Sequence, residues 1–177
     1  INLLKRLESS VNSFRLSLER ILKFISSTVE KINLLMKGQG AARTLVDEYD
    51  FSSGLDLDEQ EDIFIGGKKS QIALEDMDYI AWKKYLDKDI ETLKLLLFML
   101  ADITPEHDSK LLQLIDDLRH KFANPINDNN KKVIIFTAFS DTAEYLYDNL
   151  AEPIKAKHHL HTALITGSSE AKSTVRI

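Results

Sequence analysis

Cysteine is absent from the 177 residues of the chain. This absence excludes disulfide bonds and zinc sites with thiolate ligands, and it is typical of proteins in a reducing compartment. The chain also lacks any apolar run near the ~18–20 residues that a membrane-spanning helix requires. Its amphipathic start, Ile-Asn-Leu-Leu-Lys-Arg, does not have the order of a secretory signal peptide. We therefore expect a cytoplasmic protein that does not contact membranes.

The overall composition is that of an ordinary globular chain. Hydrophobic residues make up 44% of the sequence and charged residues 29%, which is enough apolar material to bury a core. The chain begins at Ile1, without a methionine, and ends at Ile177 without a recognisable stop. We expect it to be a fragment of a longer protein.

The net charge of −5 hides a strong asymmetry along the chain. Residues 1–37 hold seven Lys or Arg against three Glu, whereas residues 44–67 hold eight acidic residues and no basic one. Charge patches matter more than the total for binding nucleic acid, so the total excludes nothing. The acidic stretch, at about 41–70, is predicted to be a mobile, solvated linker.

Two long amphipathic helices are predicted in the first part of the chain. Apolar residues recur at steps of three and four from Leu4 to Leu35, and Gly38 follows. The same spacing runs from Tyr79 to Leu100, within a helix predicted at 75–101. Extra apolar residues near its C-terminal end indicate burial on several sides there. We expect residues 1–102 to form a helical element, an antiparallel hairpin with the acidic linker inside it.

The remainder, residues 103–177, has an α/β pattern. A helix follows Asp108, and a short β-branched run at 131–137 is typical of a buried parallel strand. Ser140 and its neighbours are expected to cap the next helix, and residues 161–167 form a second expected strand. Two strands are too few for a complete parallel sheet. The predicted fold class is mixed α and α/β: a long-helix hairpin followed by an incomplete parallel sheet with flanking helices.

Two separate segments carry a resemblance to a known family. The residues after Asp108 and the run Lys-Val-Ile-Ile-Phe-Thr-Ala-Phe-Ser-Asp-Thr-Ala-Glu-Tyr-Leu at 132–146 resemble the start of the second RecA-like domain of Swi/Snf-like superfamily 2 helicases, including helicase motif IV. Thr166-Gly167 resembles the strand end that follows motif IV. The segment Lys-Arg-Leu-Glu-Ser-Ser at 5–10, followed by Phe14-Arg15, resembles bacterial helicase-related members. The resemblance implies that residues 103–177 are the N-terminal part of that domain and that the sheet is RecA-like.

The same resemblance implies an ATP-driven motor on nucleic acid, with duplex DNA as the expected partner. ATP and Mg²⁺ are expected as cofactors of the parent protein, and the remaining motor domains as further partners in the same chain. The sequence has no phosphate loop, no Asp-Glu-x-His motif and no late arginine-rich motif. The run at 66–70, Gly-Gly-Lys-Lys-Ser, departs from a phosphate loop because Asp62 stands at the position of its first glycine. We expect no cofactor, no catalytic residue and no ATP hydrolysis in this fragment alone.

Nucleic-acid contact is the function that the resemblance leaves to this chain. Hydroxyl groups and helix N-terminal amides suit phosphate oxygens, and they position a strand without reading bases. A simpler interpretation is that Ser140 caps a helix and that Gly167 only makes a turn. By resemblance, the candidate contact residues are Thr137, Ser140, Thr166, Gly167 and Ser168.

The sequence also allows two other interpretations. Residues 1–101 are also compatible with a helical adaptor or coiled-coil interaction module, because the apolar stripe suits a partner helix. That alternative leaves the α/β segment unexplained. His158, His159 and His161 resemble a metal cluster, but histidines between a helix and a strand point in different directions. We expect them to be solvated and predict no metal site.

Overall fold

The computed structural model describes residues 3–38, 74–167 and 170–175. The acidic linker predicted at about 41–70 therefore lies outside the described residues. A 3₁₀ turn at Leu74–Asp76 precedes the third helix. The regular elements of the described part are α1 (Leu3–Ser9), α2 (Val11–Met36), α3 (Tyr79–Leu100), α4 (Ser109–Ala123), α5 (Ser140–His158), β1 (Ala163–Leu164) and β2 (Lys172–Ser173).

The first predicted helix is interrupted at Ser10. This residue has an extended backbone (φ −157°, ψ 149°), and its side-chain oxygen accepts a hydrogen bond from the Ser13 N–H at 3.0 Å. Serine is a favoured N-cap because its oxygen replaces a missing intrahelical partner. The apolar spacing continues in phase across Ser10, so periodicity alone gave no sign of the break. At the other end, Gly38 follows α2 with a left-handed φ of 68°, as the sequence predicts.

The C-terminal half of α2 packs against the first half of α3, which is the contact expected of a helical hairpin. Both helices contribute apolar side chains at helical spacing, and the 3₁₀ turn before α3 closes the end of the cluster. The buried members of this first core are Val29, Ile32, Leu74 and Leu86, and Ile25, Leu35, Met77, Tyr79, Trp82 and Ile90 are partly buried around them.

The C-terminal end of α3 is not buried as predicted. Leu95, Phe98 and Met99 are exposed by 59%, 77% and 65%. Apolar content on several faces of a helix indicates burial only if neighbouring elements surround it, and Leu93 is the buried residue of this half. Of the helices in the described ranges, none is long and apolar enough to cross a membrane.

A second apolar core joins α4 to α5. Leu111, Leu118 and Phe122 from α4 pack against Leu150 of α5. Leu160, in the segment that leads to β1, is among the partly buried residues around them. The helix that was predicted after Asp108 is thus confirmed, and its apolar face packs on α5.

The expectation of a parallel RecA-like sheet is wrong for the described residues. Their sheet is a two-stranded antiparallel pair, in which Ala163 faces Ser173 and Leu164 faces Lys172. Residues 131–137, predicted as a buried strand, form no strand, and Ile134 and Phe136 are exposed by 78% and 90%. A strand needs a neighbour that pairs with its backbone groups, which a β-branched run does not itself supply.

Asp108 connects α4 to α5 through one carboxylate. Its Oδ1 accepts from the N–H groups of Lys110 and Leu111 at 3.0 and 3.1 Å, which caps α4. Its Oδ2 accepts from the Tyr145 hydroxyl of α5 at 3.0 Å. Asp108 is 7% exposed, so these bonds replace the water that its carboxylate loses on folding.

Replacing Asp108 with Ala is expected to lower the free energy of unfolding by at least about 2 kcal/mol, because it removes a cap and leaves the Tyr145 hydroxyl without its acceptor. Asp78→Ala is the matched control, since Asp78 caps α3 through the Ala81 N–H and is exposed. It is expected to cost about 1 kcal/mol. Urea denaturation measures both, and equal losses would contradict the second role of Asp108.

Alkaline pH should also lower the stability of the folded chain, because the Tyr145 hydroxyl makes this contact only in its protonated form. Burial raises the pKa of Tyr145 above its usual range, and the hydrogen bond to Asp108 and its negative charge add to the rise. Above about pH 10 the unfolded chain loses this proton while the folded chain retains it, so stability falls as pH rises. Urea midpoints between pH 8 and 11 should fall less steeply in Tyr145→Phe. Parallel slopes in both proteins would be the contrary result.

Candidate nucleic-acid interface

The predicted contact residues lie on two elements. Thr137 is half-buried in the segment before α5, and Ser140 is a buried first residue of that helix. Thr166 is half-buried and Gly167 exposed, directly after β1. Ser168 lies outside the described residues. The structure therefore brings Thr137 and Ser140 into one turn and places Thr166 and Gly167 at the end of a strand.

The turn at 137–142 differs from the predicted cap. Phe139, with an extended backbone, is the N-cap of α5, and no side-chain hydrogen bond caps the helix. The Phe139 carbonyl accepts from the N–H groups of Thr142 and Ala143 at 3.1 Å each. Thr137 Oγ1 accepts from the Phe139 N–H at 3.4 Å. The expectation that Ser140 caps the helix through its side chain is thus wrong.

Hydroxyl groups of the first helical segment cover this turn. The Ser9 hydroxyl lies 2.8 Å from the Thr142 hydroxyl and 3.4 Å from that of Thr137. The Ser10 hydroxyl lies 3.1 Å from the same Thr142 oxygen. Ser10 and Thr142 are both buried. The Ser-Ser pair at the end of α1 is thereby bound to the segment that resembles motif IV.

A buried ionic cluster adjoins these hydroxyls, and we call its three residues, Arg6, Asp141 and Arg20, the Asp141 cluster. Arg6 Nη1 lies 2.8 Å from Asp141 Oδ2. Arg20 donates to both carboxylate oxygens, at 2.7 Å from Nη1 and 2.8 Å from Nη2. Two parallel bonds from one guanidinium are the strong, directional form of this contact. Helices α1 and α2 thus each bind the same carboxylate of α5.

Arg6 is the more deeply buried arginine of the cluster. It is 1% exposed, whereas Arg20 is 27% exposed. Its Nη1 also donates to Ser13 Oγ at 3.2 Å, and its guanidinium lies 4.8 Å from the centre of the Phe139 ring. Burial of a charged group is tolerated when ionic and polar partners surround it. The buried position of Arg6 therefore depends on the partners that the turn at 137–142 supplies.

Sequence reasoning did not identify the Asp141 cluster. Arg6 lies within the Lys-Arg-Leu-Glu-Ser-Ser segment and Asp141 within the motif IV resemblance, but no periodicity joins positions 135 residues apart. Arg20 lies outside the apolar stripe of its helix, so the helical spacing gives no reason to expect a partner for it. The one sign of this contact in the sequence is that the segment at 5–10 and the run at 132–146 resemble the same family and occur in one chain.

A cavity of about 320 Å³ lies between α2 and α5, next to this cluster. Arg15 is the basic residue of its lining, and Glu144 and Asp148 face it together with Asp141. Carboxylates repel phosphate, so this cavity does not suit a nucleic-acid backbone. The remaining lining residues are Asn12, Leu16, Pro105, Tyr145 and Asn149.

The three histidines have different surroundings. The His158 ring packs on Phe122 with the ring centres 4.9 Å apart, and His159 adopts a left-handed conformation after α5. His161 Nδ1 lies 3.3 Å from the Thr174 hydroxyl. Within the described ranges no group of three or more His, Cys, Asp or Glu could hold a metal ion.

Asp141→Asn is expected to lower the free energy of unfolding by about 3–5 kcal/mol, because it leaves buried Arg6 without its counter-charge. Asp148→Asn, an exposed carboxylate on the same helix, is the control and should change stability by less than about 0.5 kcal/mol. Urea denaturation with circular dichroism measures both. Equal, small effects would show that the cluster does not stabilise the fold.

Comparison with known proteins identifies no relative of this chain. No family model, no curated protein and no solved structure matches it.

Proposed function

We propose that this chain is a non-catalytic part of an ATP-dependent nucleic-acid helicase or translocase of the cytoplasm, with duplex DNA as its partner. The observation that carries the proposal is the contact between the two segments of the family resemblance. Arg6 and Asp141, 135 positions apart, form a 2.8 Å ion pair in which both side chains are buried.

The contact supports the proposal because it involves the residues that distinguish each segment. Arg6, Ser9 and Ser10 belong to the N-terminal resemblance, and Asp141 and Thr142 belong to the motif IV resemblance. A chance likeness at two places gives no reason for their polar side chains to be complementary. A shared structural unit gives one, since buried polar groups need specific partners.

The end of β1 is the more accessible part of the proposed interface. Gly167 is exposed, and a side chain added there would meet no atom within 4 Å. The chain at Gly167 is therefore open to solvent, and backbone N–H groups are among the groups that bind phosphate oxygens. Thr166 precedes it and supplies a hydroxyl of the kind that binds phosphate. These contacts would position a DNA strand without reading its sequence.

The decisive experiment is ATP hydrolysis by the longer protein that contains this chain, measured with and without duplex DNA. The chain alone is the control. DNA-stimulated turnover by the longer protein and none by the chain is the expected result. Thr166→Val in the longer protein should raise the DNA concentration for half-maximal stimulation about 2- to 10-fold, the effect of one lost hydrogen bond. Thr92→Val makes the same chemical change on the exposed surface of α3 and should have no effect.

A second candidate is the helical interaction module. It is favoured by Leu95, Phe98 and Met99, which are exposed on one end of α3. Exposed apolar groups of this kind are typical of protein–protein contact sites. Failure of both DNA and RNA to stimulate the longer protein would favour this candidate over the motor.

A further inference from the structure

The turn at 137–142 is covered in the structure, although two of the proposed phosphate contacts lie on it. Ser140 is 8% exposed and Thr142 is 5% exposed. The hydroxyls of Thr137 and Thr142 already contact those of Ser9 and Ser10. Ser9 belongs to α1, whereas Ser10 is the N-cap of α2 and would stay beside Thr142 if α1 moved. A phosphate could therefore reach the Thr137 side of this turn only after Ser9 had moved away with α1.

Helix α1 is attached in a way that allows such movement. It has seven residues, fewer than the ~12–15 at which an isolated helix becomes even marginally stable. Arg6 is its buried residue, while Leu4 is 71% exposed and Leu7 38% exposed. Lys110 adds a further polar contact, to the backbone oxygen of Glu8. Detaching α1 therefore breaks polar contacts that water can replace, and Leu4 and Leu7 are already exposed before it leaves. It also uncovers the Phe139 ring that lies beneath the Arg6 guanidinium.

The Asp141 carboxylate keeps a partner when α1 leaves with Arg6. Arg20 binds both oxygens of the Asp141 carboxylate from α2, independently of Arg6. If Arg6 were the only partner of Asp141, detachment of α1 would leave a buried carboxylate without a counter-charge, and that cost would oppose the movement. The two-to-one arrangement thus separates the arginine that holds α1 from the arginine that keeps Asp141 neutralised.

We propose that α1 is a removable cover, held by Arg6, that blocks the Thr137–Thr142 turn from the phosphate backbone of duplex DNA until α1 detaches. This inference rests on the proposed nucleic-acid function and adds its regulation. Binding then requires the uncovered state, and the apparent affinity is reduced by the fraction of molecules in which α1 is closed.

The test is duplex DNA binding by this chain, measured by fluorescence anisotropy for wild type, Arg6→Gln and Lys23→Gln. Removing a positive charge weakens phosphate binding if charge alone matters. If α1 is a cover, Arg6→Gln should instead raise the affinity for DNA about threefold or more, because α1 is detached in a larger fraction of the molecules. Lys23→Gln removes the same charge from an exposed position of α2 and should bind no better than wild type. Hydrogen exchange of the α1 amides should be faster in Arg6→Gln.

A second variant tests the same proposal in case Arg6→Gln does not fold. Ser9→Ala removes the contacts of Ser9 with Thr137 and Thr142 without changing any charge, so it should also bind DNA more tightly, by a smaller factor. Wild-type binding with no gain in either variant, while α1 exchanges faster, would overturn the cover alone. Absence of DNA binding by all four proteins would overturn both the cover and the nucleic-acid function.

Discussion

The described structure depends on one carboxylate, that of Asp141, and on the two guanidinium groups that bind it. The carboxylate is 9% exposed at the first turn of α5, where the helix dipole also favours negative charge. Arg6 and Arg20 come from two different helices, so their bonds to Asp141 determine how α1 and α2 lie against α5. Charge-assisted hydrogen bonds are directional, so α1 and α2 have a defined orientation on α5 as long as both arginines bind Asp141.

The apolar cores do not span this junction. One core lies between α2 and α3 and the other between α4 and α5. Ionic and hydroxyl contacts join the N-terminal helices to residues 137–142. Apolar packing is costly to separate because it exposes hydrocarbon to water, whereas polar contacts are exchanged for contacts with water or ions. The two apolar cores are therefore costly to separate, whereas water or ions can compete for the polar contacts of the junction between them.

Much of the helical structure was predictable, because amphipathic helices record their buried face in the spacing of apolar residues. The helices that contain Leu18, Leu86 and Leu118 were all expected from that spacing. The break at Ser10 was missed because a cap depends on one hydrogen bond and not on the apolar phase. The parallel sheet failed for another reason: residues 131–137 have the composition of a strand, but pairing depends on residues elsewhere in a chain.

The sequence by itself determined the helices, the glycine that follows α2 and the candidate hydroxyls, because these follow from local spacing and residue chemistry. Tertiary structure decided which of those residues meet. In the folded chain Arg6 is 1% exposed and Ser140 is 8% exposed, although both are polar residues that the sequence alone would place at the surface. The physical reason is distance along the chain. Contacts such as Arg6 with Asp141 cross 135 positions, and no local pattern contains information about that separation.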